Sequence, residues 1–306
     1  MTKTALIVGA GSGISASFAR LLAKDGYRIV LASRNPAALT SLAAETKATT
    51  HPCDAADPAS VDQLFAHVDQ QFPKLDVCLF NASARAPGPL TEVDREQART
   101  ALLISSYGGF LVAQAAAQRM LPHGSGTILL TGASASVKGY PQSAVFAMGK
   151  FALRGLAQSM ARELAPKGIH VAHFVIYGSV RNAEKGRVKA GNMTADSYLD
   201  PEAIAQSYLH VVQQPRSAWT REVELRPWVE RFCDRRSRCA RLYARRGGCA
   251  HLFLHVEDRR QPPRHLRSQI AASRADFAAA RKGMEALALR SARPRMRLLP
   301  ERTYQC

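Results

Sequence analysis

The chain has 306 residues, 46% of them apolar and 22% charged, with a formal net charge of +18. This is ordinary globular composition, rich enough in apolar residues for a sizeable core. No apolar run reaches the roughly 18 residues that a membrane-spanning helix needs. Met1-Thr2-Lys3 leads straight into a strand-like run without room for a secretory leader; no membrane association is expected, and the expected location is cytoplasmic.

Short β-branched apolar runs alternate with helical patterns, which argues for βαβ units and a parallel sheet. Residues 5–8 read as the first strand and run into Gly9-Ala10-Gly11-Ser12-Gly13-Ile14-Ser15, followed by a helix over 14–24. Glycines at a first strand-to-helix junction let a pyrophosphate approach backbone N–H groups at a helix N-terminus. Gly9, Gly11, Ser12, Gly13 and Ile14 are therefore the candidate phosphate cradle of a dinucleotide-binding domain. The second strand, 28–33, ends in Ser33-Arg34-Asn35 and precedes a helix over 36–45. A third strand over 49–53 leads to Asp54 and a helix over 58–71; a fourth over 77–81 leads to a long helix over about 95–120. Strands over 127–131 and 170–176 flank a helix over about 143–165, and a helix over 201–213 precedes the last strand, 222–226. That strand alternates charged and apolar residues as an edge strand would. Pro36, Pro58 and Pro201 each follow Asn or Asp, the order of a cap and a first helical residue. The polar, unpatterned stretch 182–199 has the character of a loop over a pocket.

After Phe232 the character changes. Up to that residue 24 Lys and Arg oppose 18 Asp and Glu, a net of +6; from Cys233 onward 18 oppose 6, a net of +12. Residues 1–232 are expected to form one domain and 233–306 a basic extension with poor order, of the kind that a changed reading frame near the end of a gene produces. Pro262-Pro263 breaks the extension, and only 269–289 resembles an amphipathic helix. Its Cys239, Cys249, His251 and His255 lack a Cys-x2-Cys knuckle, so no metal is expected. Few aromatics and no reader motif argue against specific nucleic-acid binding. Cys53 and Cys78 read as buried thiols of a reducing compartment.

On these residues the chain resembles the short-chain dehydrogenase/reductase family. Gly9 and Gly13 match the family's Thr-Gly-x-x-x-Gly-x-Gly turn, with Ser15 in place of the last glycine. Asp54 looks like the adenine-contacting acid, Phe80-Asn81-Ala82-Ser83 like the Asn-Ala-Gly element, and Lys150 like the lysine of Tyr-x-x-x-Lys. The resemblance covers about residues 3–231 and implies a Rossmann-like doubly wound parallel α/β sheet. It also implies that Asn81 meets the adenosine side and Lys150 the nicotinamide ribose. Family members that prefer NAD(H) place an acid at the end of the second strand. Here Ser33 and Arg34 stand there, and Arg34 can hold a 2′-phosphate bidentately, so NADP(H) is expected over NAD(H).

The family's working Asn, Ser, Tyr and Lys fall on Ser105, Ala133, Phe146 and Lys150. A phenyl ring cannot pass a proton, and losing a positioned acid costs roughly 10²–10⁴ in rate. Lys150, Tyr177 at the end of the sixth strand, and Ser134 beside the serine position are the candidate catalytic residues, with Tyr140 a further donor. The resemblance implies hydride transfer on a carbonyl/alcohol pair of a small molecule; the altered tetrad fits a non-catalytic cofactor-binding protein as well. Substrate loops are expected over 82–90, 132–142 and 179–199, without a diagnostic charged cluster. In the family, helices like 95–120 and 143–165 form a dimer interface, which implies a homodimer or homotetramer.

Overall fold

β-branched and leucine-rich runs buried on both faces form the inner strands of a seven-stranded sheet, closed at its two edges by the partly exposed runs Thr49–Pro52 and Glu222–Leu225. The computed structural model describes residues 2–182, 184, 186 and 196–229. The expected extension 233–306, with its Cys/His set and its helical stretch, lies outside the described residues. The strands are β1 Thr4–Val8, β2 Arg28–Ser33, β3 Thr49–Pro52, β4 Val77–Phe80, β5 Gly126–Thr131, β6 Ile169–Ile176 and β7 Glu222–Leu225. They lie in the order β3-β2-β1-β4-β5-β6-β7, all parallel. The direction of winding reverses between β1 and β4, where ligands bind in open α/β sheets. This is the expected Rossmann-like doubly wound architecture.

Alternation along β1 sorts the core into two layers. Leu6 and Val8 face α3 (Pro58–Gln71), α5 (Gly108–Met120) and α6 (Ala144–Leu164). Ala5 and Ile7 face α1 (Ile14–Lys24), α2 (Thr40–Thr46) and α7 (Pro201–Val212). Two of the expected Asx-Pro caps form: Asp57 accepts from Ala59 N–H at 3.1 Å and Asp200 from Glu202 N–H at 2.9 Å. Asn35 makes no cap bond, and Pro36–Leu39 is a 3₁₀ turn. There Asn35 lines a cleft instead.

The expected single helix over 95–120 is interrupted. It consists of α4 (Arg95–Leu102), a π turn over Leu103–Tyr107, and α5. Beyond the turn, close packing requires glycine at Gly108, where a Cβ would sit 2.5 Å from the Ala55 carbonyl oxygen, and a Cβ on Gly109 would press 2.5 Å from the end of the Leu153 side chain. The run Arg95–His123 is long and apolar enough over 18 residues to cross a membrane by length and composition, but half of that window is buried within the fold, as in a core helix.

Candidate active site

At the C-terminal ends of β1 to β4 lies a cleft of about 690 Å³. Its floor is the turn after β1. Gly9 has φ +79°, and a Cβ there would sit 2.3 Å from Ala82 N, so the turn packs on the β4 loop only as glycine. The Gly9 and Ala10 N–H groups donate to Ala32 O at 2.9 and 3.0 Å. Gly11 faces open space, and Gly13 precedes α1 at its cap position without a side-chain cap. An uncapped helix N-terminus at the mouth of a glycine turn suits an anion. Ser15 shows why the family's last glycine is dispensable here: its buried hydroxyl donates to Gly9 O at 3.2 Å and accepts from Asn81 Nδ2 at 2.8 Å. Asn81 thereby ties the β4 loop to the turn.

Ser33 Oγ is buried without a hydrogen-bond partner on the cleft wall, and the exposed Arg34 follows it. Asp54 stands on the same wall, one carboxylate oxygen accepting from Ala56 N–H at 3.0 Å. Asn182, which sequence reasoning did not single out, donates to Ser12 Oγ at 3.2 Å across the cleft. The open space at Gly11, the uncapped start of α1 and the orphaned Ser33 hydroxyl fit a phosphate-bearing dinucleotide. Gly9, Gly11, Ser12, Gly13, Ile14, Ser33, Arg34, Asp54 and Asn81 thus line one surface.

Lys150, Tyr177 and Ser134 stand outside the lining of this cleft. Lys150 is 2% exposed, and its Nζ donates to Thr131 O at 2.8 Å. Burial, and secondarily the positive charge of Arg85, push its pKa down to about 7. One helical turn earlier on α6 stands Phe146, with the Arg85 guanidinium 4.1 Å over its ring. Ser134 opens the 3₁₀ turn Ser134–Ser136, where its carbonyl accepts from Val137 and Lys138 N–H. Just before it, Ala133 N–H donates to the buried Ser136 hydroxyl at 3.1 Å. Tyr177 is buried between two cations, Lys138 at 4.6 Å and Arg226 at 4.0 Å from its ring centre. Hydrogen bonding to Tyr177, opposed by partial burial and aided by Tyr140, holds the Lys138 ammonium above its ordinary pKa.

Lys138 and Arg226 come from separate stretches of the chain and meet on the Tyr177 ring, while Arg85 lies on the Phe146 ring. A second network lies beneath. Glu222, expected on a solvated edge, accepts from both Arg154 Nε and Nη2 at 2.7 Å and bonds His173 Nδ1 at 3.1 Å. His173 is 1% exposed, and burial pushes its pKa down to about 4 despite that carboxylate. A Cβ on Gly132 would lie 2.2 Å from His173 Nε2, which explains a glycine directly after β5.

The family model for short chain dehydrogenases matches residues 3–185. A solved short-chain dehydrogenase from Rhodopseudomonas palustris superposes with a TM-score of 0.64 and 35% identity, over 74% of this chain and 99% of the other. The alcohol dehydrogenase of Thermococcus sibiricus, complexed with 5-hydroxy-NADP, superposes at 0.68 with 25% identity, over 76% and 99% of the two chains. An uncharacterized oxidoreductase of Staphylococcus aureus (strain N315) is 28% identical over 228 residues, 74% of this chain and 97% of its own.

Proposed function

The chain belongs to the short-chain dehydrogenase family, and from that premise we propose that it is an NADP(H)-dependent oxidoreductase acting on the carbonyl/alcohol pair of a small molecule. The observation that carries this reading is the cleft at the β1 turn, lined by an uncapped helix N-terminus, the orphaned Ser33 hydroxyl and Arg34, with no carboxylate at the end of β2. In this reading the N–H groups of Gly11, Ser12, Gly13 and Ile14 receive the pyrophosphate, and Gly9 lets the turn close on the β4 loop. Ser33 and Arg34 receive the 2′-phosphate, Asp54 the adenine, Asn81 the adenosine side and Lys150 the nicotinamide ribose. When bound, the cofactor supplies or accepts the hydride. Tyr177, hydrogen-bonded by Lys138, is the proposed proton donor, and Ser134 is the proposed second donor to the substrate.

The proposed assembly is a homodimer or homotetramer in the cytoplasm. Tyr107 and Phe110, before and on α5, and Met148 and Phe151 on α6 are each about 40% exposed or more, an unusual cost for a monomer to leave uncovered. A second reading is favoured by Ala133 and Phe146: a cofactor-binding protein without turnover. Stopped-flow oxidation of bound NADPH against aldehydes, ketones, quinones and enones separates the two. Oxidation with any of them, lost in Tyr177→Phe, supports the enzyme with its proposed donor. Silence across the panel supports the non-catalytic reading.

A further inference from the structure

One lysine stands between two phenols at the carboxyl ends of β5 and β6. Lys138, in the loop after β5, holds its Nζ 5.0 Å from the centre of the Tyr140 ring and 4.6 Å from that of Tyr177, which follows β6. Tyr177 is buried, Lys138 half-buried and Tyr140 exposed, so the cluster opens to solvent on the Tyr140 side. Hydrogen bonding to Tyr177, opposed by burial and aided by Tyr140, raises the Lys138 pKa, and the ammonium keeps its charge at any working pH. An ammonium has three N–H groups, of which the two phenols take two, and each phenol keeps its own O–H to donate. No carboxylate among the described residues pairs with Lys138. Arg226, 4.0 Å from the Tyr177 ring centre, is neutralised by its ion pair with Glu224, so the net charge of the cluster is that of Lys138. The cluster belongs to the same end of the sheet as the cleft: β5 and β6 follow β4, whose loop residues Asn81, Ala82 and Ser83 line the cleft, as does Val180, three residues after Tyr177. Neighbouring strands lie about 4.8 Å apart, so the end of β6 is about 10 Å from that of β4, the span of a small molecule lying beside the cleft.

We propose that Lys138 and the Tyr140 hydroxyl bind a carboxylate of the substrate, and that the substrate is a short oxo acid. The proposal rests on the oxidoreductase reading above and names its substrate class. The third ammonium N–H and the Tyr140 O–H are two donors on one uncompensated charge. They match the two oxygens of a carboxylate and would leave the third oxygen of a phosphate unmet. Hydrogen bonds between ionised partners are also the stronger kind. The Tyr177 hydroxyl stays available for the carbonyl, as its proposed proton donor. Oxygens that each bond one ammonium at about 2.8 Å lie within about 5 Å of one another. The carbonyl that meets Tyr177 is therefore one or two carbons from the carboxylate that meets Lys138, as in a 2-oxo or 3-oxo acid. A neutral ketone leaves the ammonium without a counter-charge and gains nothing from it.

The test uses oxamate, an unreactive analogue of a 2-oxo acid, titrated calorimetrically into the full chain with and without NADP+. The proteins are the wild type, Lys138→Met, Lys138→Arg and Tyr140→Phe. NADPH oxidation by 2-oxobutanoate is compared with that by 2,3-pentanedione, which has the same shape with a methyl group in place of the charged oxygen. Oxamate affinity should fall about 10- to 100-fold in Lys138→Met, the effect of losing a charge-assisted hydrogen bond. It should fall less in Tyr140→Phe and recover in part in Lys138→Arg, with NADP+ affinity and melting temperature unchanged. The ratio of kcat/KM for the oxo acid to that for the diketone should drop by a similar factor in Lys138→Met, whereas a lysine that served Tyr177 alone would lower both alike. No oxamate binding by the wild type, equal binding by wild type and Lys138→Met, or an equal loss with both carbonyls overturns the proposal. Oxidation by the diketone without oxamate binding does so while leaving the oxidoreductase reading in place. Lys138-dependent oxamate binding without oxidation by either carbonyl retains the carboxylate site and ends the oxidoreductase reading instead.

Discussion

Lys150 and His173 are ionisable groups buried at the edge of one sheet, and each sets a distinct pH signature. Lys150 has a pKa near 7 in the fold against 10.5 for an ordinary lysine. Between those values the unfolded chain holds a proton that the folded chain has released, so stability rises with pH across the window. Measured by thermal melts from pH 7 to 9 without cofactor, the wild type should gain stability relative to Lys150→Met. A flat difference would show that the ammonium is not desolvated. His173 has a pKa near 4 against 6.5 for an ordinary histidine. The unfolded chain again binds the extra proton, so stability should fall as pH drops from 6.5 towards 4, and His173→Gln should lessen that fall. Arg34 governs cofactor choice in the proposed reading. Arg34→Ala should weaken NADPH by about 10- to 100-fold, the size of a lost charge-assisted contact, and leave NADH nearly unaffected in calorimetry.

Among the elements, the helix starts are the cheapest to test. Asp57 and Asp200 each place a carboxylate on a backbone N–H at the mouth of a proline-initiated helix. Replacing either with alanine should cost about 1 kcal/mol in urea unfolding, whereas Asn35→Ala, with no cap bond to lose, should cost less on this account. The π turn has a consequence at its own scale. It supplies Ser105, whose hydroxyl fixes Ala84 by two bonds and so the start of the loop that carries Arg85. β7 is likewise more than an edge. Its Glu222 reaches back to Arg154 on α6 and to His173 on β6, joining three elements through one carboxylate.

For the whole molecule, the exposed rings of Phe110 on α5 and Phe151 on α6 mark the surface that a second copy would cover in the proposed assembly. Phe151→Glu combined with Phe110→Glu should shift sedimentation of the full chain towards monomer while leaving the far-UV spectrum unchanged. An unaltered sedimentation profile, or a wild type already monomeric, would place the interface elsewhere or remove it.

The sequence by itself determined the strand-helix alternation and the glycine turn at the first junction. It also showed the absence of an acid after β2, and the resemblance to the family led to the expectation that Ala133 and Phe146 stand at its serine and tyrosine positions. These are local properties: period, propensity and residue identity are written along the chain. The tertiary structure decided the rest. Ser15 and Asn81 are 66 positions apart and meet only because β1 and β4 are neighbours in the sheet. Arg85 and Phe146, Lys138 and Tyr177, and Arg154 and Glu222 are likewise strangers in sequence. Their pairing follows from which strands lie side by side and from what burial does to a charge, and no single window of residues contains either fact.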